Sequence, residues 1–204
     1  MRTEVLSESA VVLTRFAGAD AAELVRAVAS IAAAAPFRHM TTPGGYRMSV
    51  AMTSCGTVGW VTDRRGYRYS PQDPTTERNW PPMPPLFLSV ATAAAGAAGY
   101  SGFVPDSCLI NRYEPGDRLS LHQDKDERDL TAPVVSVSLG LPATFLFGGL
   151  SRRERPRRIV LENGDVVVWG GPARLAFHGI DPLPDGEDEL TGRCRINLTF
   201  RKAL

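Results

Sequence analysis

The second half of the chain is a succession of short segments in which apolar and polar side chains alternate, or which are apolar throughout. From Cys108 onward, Gly, Pro, Asp or Asn residues separate the runs CLINRY, VVSVSLG, TFLF, RIVLE, DVVVWG, RLAFHG and RCRINLTF. No segment with helical periodicity lies between them. Closely spaced strands without intervening helices are typical of a β-sandwich or barrel. The sequence therefore predicts a C-terminal β-barrel or jelly roll.

The first half of the chain contains two predicted helices. Residues 19–35 have one apolar stripe, with Asp20 and Glu23 in capping-box order, and Pro36 ends this helix. A second, Ala-rich helix is predicted over about 85–98, with Pro in its first turn. Between the two helices, glycines separate short apolar or aromatic runs, a pattern that predicts small strands and hairpins. The fold class is therefore expected to be mainly β with flanking helices.

Composition limits the possible partners and compartment. There are 23 basic and 22 acidic residues, so any affinity for nucleic acid has to come from a local patch such as SRRERPRR, which is otherwise a solvated loop. The three cysteines form no C-x-x-C pair and are expected to be reduced thiols in a cytoplasmic protein. The charged start MRTEVLSESA is not expected to be a signal peptide. Prolines interrupt the longest uncharged stretch, so no membrane span is expected.

One constellation of residues points to chemistry. His122 and Asp124 stand two residues apart, which in an extended segment places both side chains on the same side. His178 follows at the end of a predicted strand. Two imidazoles and one carboxylate on one face of a metal are typical of non-haem Fe(II) oxygenases, whose open positions admit a co-substrate and O₂. An isolated H-x-D pair also arises by chance, so the pair alone is weak evidence for a metal site.

The last predicted strand, RCRINLTFR, adds a second signal. One face is apolar, and the other carries Arg195, Asn197 and Arg201. Such alternation ordinarily marks a strand with a solvated outer face. Arginine is nevertheless suited to bidentate recognition of a carboxylate. The two arginines would be about 20 Å apart along an extended strand, so they could engage only opposite ends of a short dicarboxylic acid.

Longer runs of sequence carry a resemblance to a known family. The segments CLINRYEPGDRLSLHQDKDE, APVVSVSLGLPATFLFGG, NGDVVVWGGPARLAFHGI and CRINLTFR, with TPGGYRMSVAMTSCGTVGW and GYRYSPQDP upstream, resemble the AlkB family of Fe(II)- and 2-oxoglutarate-dependent dioxygenases. The resemblance implies a double-stranded β-helix (jelly roll) core with an N-terminal α/β nucleotide-recognition lid. It implies a single dioxygenase domain, 1–204, made of an N-terminal helical segment (1–35), the lid (36–80), and a helix with the jelly-roll catalytic core (81–204).

The resemblance also implies roles for individual residues. The expected Fe(II) ligands are His122, Asp124 and His178. The residues expected to bind 2-oxoglutarate are Asn111, Tyr113, Arg195, Asn197 and Arg201. The residues expected to bind the substrate base are Trp60, Tyr67, Asp126, Arg152 and Met52, with Trp60 stacking on the base and Asp126 near its exocyclic amino group. Asp124 and Asp126 are the expected catalytic residues.

The implied reaction is oxidative demethylation of bases of the 1-methyladenine and 3-methylcytosine type in single- or double-stranded DNA. Fe(II) is the expected cofactor, 2-oxoglutarate and O₂ are the co-substrates, and formaldehyde and succinate are released. The alternatives are a dioxygenase acting on RNA, tRNA or a protein side chain, and a non-catalytic barrel that binds nucleic acid or a small acid. The aromatic residues Trp60 and Tyr67 favour a nucleobase over a peptide. A monomer with no obligate protein partner is expected.

Overall fold

The computed structural model describes residues 2–204, which form two larger β-sheets, a small hairpin and two helices. The strands are β1 (Arg2–Ser7), β2 (Ala10–Thr14), β3 (Ala51–Gly56), β4 (Gly59–Asp63), β5 (Gly66–Ser70), β6 (Ser107–Tyr113), β7 (Leu119–His122), β8 (Val134–Gly140), β9 (Ala143–Phe147), β10 (Arg157–Leu161), β11 (Val166–Trp169), β12 (His178–Ile180) and β13 (Arg195–Arg201). The helices are α1 (Ala21–Ala34) and α2 (Pro85–Ala97), and a single 3₁₀ turn spans Gly171–Ala173. Neither helix in the described range has the length and apolar character needed to span a membrane.

The two larger sheets are arranged as layers with the helices. The first sheet has the order β1-β2-β11-β8-β13-β6-β3, and the second has the order β10-β9-β12-β7. One apolar cluster joins residues of both sheets, including Phe145 from the second and Trp169 from the first. Another joins the far side of the first sheet to the helices, as Leu24 and Phe87 pack in one cluster with Leu198. The predicted mainly β fold with flanking helices is confirmed, and the two sheets are consistent with a jelly-roll core.

Strand β13 lies inside the first sheet, so one of its faces points to the helices and the other to the opposite side of the sheet. It pairs antiparallel with β8 on one side and β6 on the other. Ile196, Leu198 and Phe200 face the helices, where their burial stabilises the fold by about 1.5–3 kcal/mol each. The alternate residues, Arg195 and Arg201 among them, are also buried. The ordinary alternative of a solvated face does not hold here, because these residues line an internal cavity.

Three expectations about secondary structure need correction. The description of 1–35 as a helical segment fails for residues 2–14, which form the β1–β2 hairpin, and β2 pairs with β11 in the first sheet. The capping interaction expected at Asp20 is absent, although α1 begins directly after that residue. The run RLAFHG is a strand only from its histidine onward, because residues 174–177 form a turn and an irregular segment after the 3₁₀ turn.

The 36–80 region divides between two sheets. Strand β3 belongs to the first sheet, where it pairs with β6 and places Met52 opposite Asn111. Strands β4 and β5 form a separate two-stranded antiparallel sheet, here called the β4–β5 hairpin, in which Trp60 lies opposite Tyr69. This hairpin carries both aromatic residues predicted to contact the base.

Candidate metal centre and its pocket

The cross-strand pairing of β7 with β12 brings two histidines together. His122 ends β7, His178 begins β12, and they are direct partners in the antiparallel register. Their ring centroids are 4.3 Å apart. Asp124 follows β7 by two residues, with Oδ1 3.8 Å from Nε2 of His122 and Oδ2 3.7 Å from Nε2 of His178. One potential ligand atom from each residue lies within 4.8 Å of the others. The structure thus brings the three predicted ligands together.

Backbone carbonyls determine which nitrogen of each imidazole is free. Nδ1 of His122 lies 2.9 Å from the Ser120 carbonyl oxygen, and Nδ1 of His178 lies 3.0 Å from that of Ala176. A carbonyl oxygen can only accept, so Nδ1 carries the proton in both rings. Both Nε2 atoms therefore direct lone pairs towards Asp124. Such a carbonyl contact is the usual way a metal-binding histidine is oriented.

Burial keeps the second histidine uncharged. Desolvation, with repulsion from His122, lowers the pKa of His178 to about 4, although Asp124 opposes the shift. The ring packs against Trp169, with 4.8 Å between ring centroids, which restricts its orientation. His178 is therefore a neutral imidazole near pH 7, the form in which histidine binds metals.

The carboxylate of Asp124 is ionised despite its burial. Desolvation alone would raise its pKa, but attraction to the Arg201 guanidinium, with a hydrogen bond from it, lowers the pKa overall. Arg201 contacts Oδ2 with Nε at 2.9 Å and Nη2 at 2.8 Å. Two neutral nitrogen lone pairs and one carboxylate, with no sulfur ligand, fit a divalent iron better than a soft metal.

The polar face of β13 forms the floor of the pocket beside these residues. Arg195 is 1% exposed, and its guanidinium lies over the Tyr113 ring, 5.8 Å from the centroid. Its Nη2 donates to Ser138 Oγ, whereas Nε and Nη1 have no hydrogen-bond partner among the described residues. The same is true of Asn111 Oδ1. Unpartnered buried donors on a guanidinium are costly, and an anionic ligand would satisfy them.

Asn197 and Arg201 already have partners within the protein. Asn197 Nδ2 donates to Ser136 Oγ and to the Val137 carbonyl, and its Oδ1 accepts from Asn111 and Thr199. Arg201 binds Asp124, as described above. Among the five residues predicted for the co-substrate, Arg195 is therefore the one whose guanidinium presents free donors.

All the predicted site residues line one cavity of about 920 Å³. They are Met52, Trp60, Tyr67, Asn111, Tyr113, His122, Asp124, Asp126, Arg152, His178, Arg195, Asn197 and Arg201. Residues from both larger sheets and from the β4–β5 hairpin thus line the same cavity. This size is within the range of pockets that bury a small organic ligand.

Aromatic residues of the β4–β5 hairpin line the same cavity. Trp60 stacks on Tyr67 with ring centroids 5.6 Å apart and an interplanar angle of 17°. The Trp60 indole Nε1 donates to Asp126 Oδ2 at 2.8 Å. Tyr67 is half exposed, whereas Met52 is buried in the core with only an edge reaching the cavity. The flat, partly exposed faces of Trp60 and Tyr67 suit a planar ligand.

Sequence reasoning missed a group of buried charged residues behind the metal centre. Glu127 and Arg174 have side chains only 2% and 3% exposed and form an ion pair at 3.1 Å. Glu127 lies in the run HQDKDERD, where dense charge predicts a solvated loop. No local signal in the sequence distinguishes it from its exposed neighbours.

Replacing Gly179 with alanine is expected to disturb the histidine pair. A Cβ at this position would lie 2.5 Å from the Leu119 carbonyl oxygen and 3.1 Å from the Leu121 nitrogen, so β12 would have to move away from β7. We expect a loss of stability of about 1–3 kcal/mol and a fall in Mn(II) affinity of about 10-fold or more, as for other losses of ligand support. Titration calorimetry with Mn(II) measures the second effect.

The control for this experiment is Gly96→Ala in α2, where an added Cβ meets nothing within 4 Å. This variant is expected to bind Mn(II) as the unmodified protein does. Unchanged metal affinity in Gly179→Ala would show that the strand pairing does not set the histidine geometry.

Known proteins resemble this chain in sequence and in fold. The family model described as the 2OG-Fe(II) oxygenase superfamily matches residues 9–201. The chain is 60% identical over 200 residues to the alpha-ketoglutarate-dependent dioxygenase AlkB of Escherichia coli (strain K12), which covers 98% of this chain and 93% of that protein. It is 49% identical over 181 residues to the alpha-ketoglutarate-dependent dioxygenase AlkB homolog of Caulobacter vibrioides (strain NA1000 / CB15N), covering 88% and 80%. The solved structure of OsALKBH1 superimposes with a TM-score of 0.88 at 28% identity, covering 98% of this chain and all of that one.

Proposed function

Because this chain belongs to the AlkB family of 2OG-Fe(II) oxygenases, we propose that it removes methyl groups oxidatively from damaged bases in DNA. The bases are of the 1-methyladenine and 3-methylcytosine type, and the products are formaldehyde and succinate. One observation carries the proposal. The histidine–aspartate group, the unpartnered donors of Arg195 and the aromatic faces of the β4–β5 hairpin line the same cavity.

The metal is held by His122, Asp124 and His178. Nδ1 of each imidazole contacts a backbone carbonyl oxygen, which leaves Nε2 for the metal, and the carboxylate of Asp124 is ionised. When bound, Fe(II) supplies the oxidation of the methyl group by O₂ at the expense of 2-oxoglutarate. Asp124 therefore has a catalytic role as a ligand of the reacting centre.

The co-substrate 2-oxoglutarate is recognised through its distal carboxylate by Arg195. The guanidinium is 1% exposed and has unpartnered donors that a carboxylate would satisfy. Tyr113 packs on the guanidinium, and Asn111 lines the same cavity. Arg201 and Asn197 complete the pocket, and Arg201 turns part of its hydrogen bonding from Asp124 towards the ligand.

The methylated base enters between the hairpin and the metal centre, so that residues 36–80 act as the nucleotide-recognition lid. A methyl group on the Watson–Crick edge weakens base pairing, which makes such a base cheaper to flip out than an intact one. Trp60 and Tyr67 provide stacking surfaces for it. Asp126, which now accepts from Trp60, is placed to accept from the exocyclic amino group and to favour a cationic lesion.

The polypeptide around the cavity suits a nucleic acid as partner. Arg152 lines the cavity and lies in the arginine-rich loop 151–158, where it can contact a phosphate. Cys55, Cys108 and Cys194 are free thiols, in keeping with the reducing cytoplasm.

The direct test measures formaldehyde from oligonucleotides that each contain one defined methylated base. Release is expected from 1-methyladenine and 3-methylcytosine in DNA, and only when both Fe(II) and 2-oxoglutarate are present. Matched RNA oligonucleotides and a methylated peptide are run beside them. Turnover of the RNA or the peptide with none of the DNA would contradict the proposed substrate.

Replacing Trp60 with alanine is expected to weaken binding of a methylated oligonucleotide by about 10-fold or more, because stacking on an aromatic side chain contributes about 1–3 kcal/mol per base. Trp60 does not contact the histidine–aspartate group, so 2-oxoglutarate decay without nucleic acid is expected to persist. Fluorescence anisotropy measures the binding, and succinate formation measures the decay. If both fall together, Trp60 has a structural role only.

A further inference from the structure

A buried polar cluster connects the β4–β5 hairpin to the metal centre. It consists of Tyr69, Glu127, Arg174 and Arg201, and is here called the Glu127 cluster. The side chains of Glu127, Arg174 and Arg201 are 2%, 3% and 6% exposed. None of the roles derived above uses Tyr69, Glu127 or Arg174.

The contacts in the cluster form a continuous path. The Tyr69 hydroxyl donates to Glu127 Oε1 at 2.5 Å. The same Oε1 lies 3.4 Å from Arg201 Nε, and Arg201 in turn contacts Asp124 Oδ2 at 2.8 Å. Tyr69 of the hairpin is therefore linked to the predicted metal ligand Asp124 through two side chains, those of Glu127 and Arg201.

Arg174 holds the backbone that carries these groups. It donates to Glu127 Oε2 at 3.1 Å, to the Asp124 carbonyl oxygen at 2.7 Å and to the Ala132 carbonyl oxygen at 2.9 Å. A single guanidinium thus fixes both the side chain and the main chain of the segment 124–132. Movement of Asp124 is for this reason transmitted to Glu127.

Charge balance makes the cluster sensitive to what binds next to it. Two arginines face two carboxylates, Asp124 and Glu127, and burial raises the pKa of Tyr69 so that its hydroxyl keeps its proton and donates. Buried hydrogen bonds to charged groups are strong because the surroundings screen them weakly. A metal at Asp124 or a carboxylate at Arg201 would change the charges that Glu127 faces.

The hairpin that Tyr69 belongs to carries the base-contacting residues. Tyr69 lies opposite Trp60 in the strand pairing and two residues from Tyr67. We propose that Tyr69 and Glu127 are positioning residues, through which metal and 2-oxoglutarate bound at Asp124 and Arg201 raise the affinity of the hairpin for a methylated base. Ligands that fix Asp124 and Arg201 also fix Glu127 and Tyr69, so the hairpin loses less conformational freedom when the base binds. This inference rests on the function proposed above.

The test compares oligonucleotide affinity with and without the other ligands. A single-stranded DNA with one 1-methyladenine is titrated under anaerobic conditions, first alone and then with Mn(II) and 2-oxoglutarate, so that no turnover occurs. The unmodified protein is expected to bind at least about 5-fold more tightly in their presence, the lower range of ordinary coupling between sites. The ratio of oligonucleotide affinity with Mn(II) and 2-oxoglutarate to that without them measures the coupling. In Tyr69→Phe, which removes only a hydroxyl, this ratio is expected to approach one. The affinity of this variant for Mn(II) and 2-oxoglutarate alone is expected to stay within about 2-fold.

Two further variants identify the cause. Glu127→Gln removes the negative charge with little change of shape, and is expected both to lower the ratio and to weaken Mn(II) and 2-oxoglutarate binding. Tyr100→Phe is the matched control, because the Tyr100 hydroxyl donates to the Ser9 carbonyl at 2.7 Å and does not line the cavity. It is expected to retain the full ratio.

The outcomes separate this inference from the proposed function. A ratio of one in the unmodified protein, or an unchanged ratio in Tyr69→Phe, overturns the positioning role. Equal weakening of oligonucleotide binding in both conditions also overturns it, since Tyr69 would then support the hairpin without linking it to the metal. The proposed function is tested separately by formaldehyde release from the unmodified protein.

Discussion

Replacing His178 with alanine is expected to abolish formaldehyde release and to lower the affinity for Fe(II) or Mn(II) by more than about 100-fold. The change removes one of three ligands. Loss of a residue that only hydrogen-bonds to a ligand already lowers metal affinity by about 10–100-fold. His178 is also 5% exposed and packs on Trp169, so no other side chain can swing into its place. Calorimetric titration with Mn(II) measures the binding, and an aldehyde assay measures the turnover.

The third histidine of the chain provides the control. His39 is exposed, its Nδ1 lies 3.1 Å from the Met48 carbonyl oxygen, and it does not line the cavity. His39→Ala is expected to keep full metal affinity and activity. Normal turnover in His178→Ala would refute the metal assignment.

Replacing Arg195 with methionine is expected to raise the KM for 2-oxoglutarate by about 100-fold or more. Two hydrogen bonds to a charged group contribute about 1.5–3 kcal/mol each, and 1.4 kcal/mol corresponds to a factor of ten. The thermal stability of the ligand-free protein, in contrast, is not expected to fall. Methionine fills a similar volume without burying the unpartnered donors Nε and Nη1, so the ligand-free protein is expected to melt at the same temperature or higher.

Arg193→Met is the matched control, since Arg193 is exposed and pairs only with Asp185 at the surface. It is expected to leave the 2-oxoglutarate requirement unchanged. The assay is succinate formation at varied 2-oxoglutarate, together with thermal unfolding of the ligand-free proteins. An unchanged KM in Arg195→Met would place the co-substrate elsewhere.

The sequence predicted strand β13 and which residues share each of its faces. It did not predict which parts of the fold pack against those faces. Alternation shows that Ile196 and Arg195 point in opposite directions, and this is a local property. Whether the arginine face is solvated depends on the second sheet, which is distant in sequence. The arginines of the strand pointed to a carboxylate ligand, and the resemblance to the AlkB family identified that ligand as 2-oxoglutarate.

Long-range pairing explains the other differences between prediction and structure. The β1–β2 hairpin is joined to the first sheet through β11, which lies about 150 residues further along the chain. Strand β3 and the β4–β5 hairpin follow one another closely in the sequence, yet only β3 pairs with β6. Glu127 became identifiable as buried only when Tyr69, Arg174 and Arg201 were seen around it. Such partners leave no periodic signal in the chain.

The direct pairing of His122 with His178 has a consequence for the cell. Backbone pairing of β7 with β12 holds the two imidazoles side by side, so the spacing of these ligands is set by the sheet. A preformed nitrogen–carboxylate site discriminates weakly among divalent ions, and copper or nickel bind such ligands more tightly than ferrous iron does. Demethylation should then follow the ratio of iron to its competitors around the protein, so that excess nickel or a shortage of iron lowers turnover even when the protein is abundant.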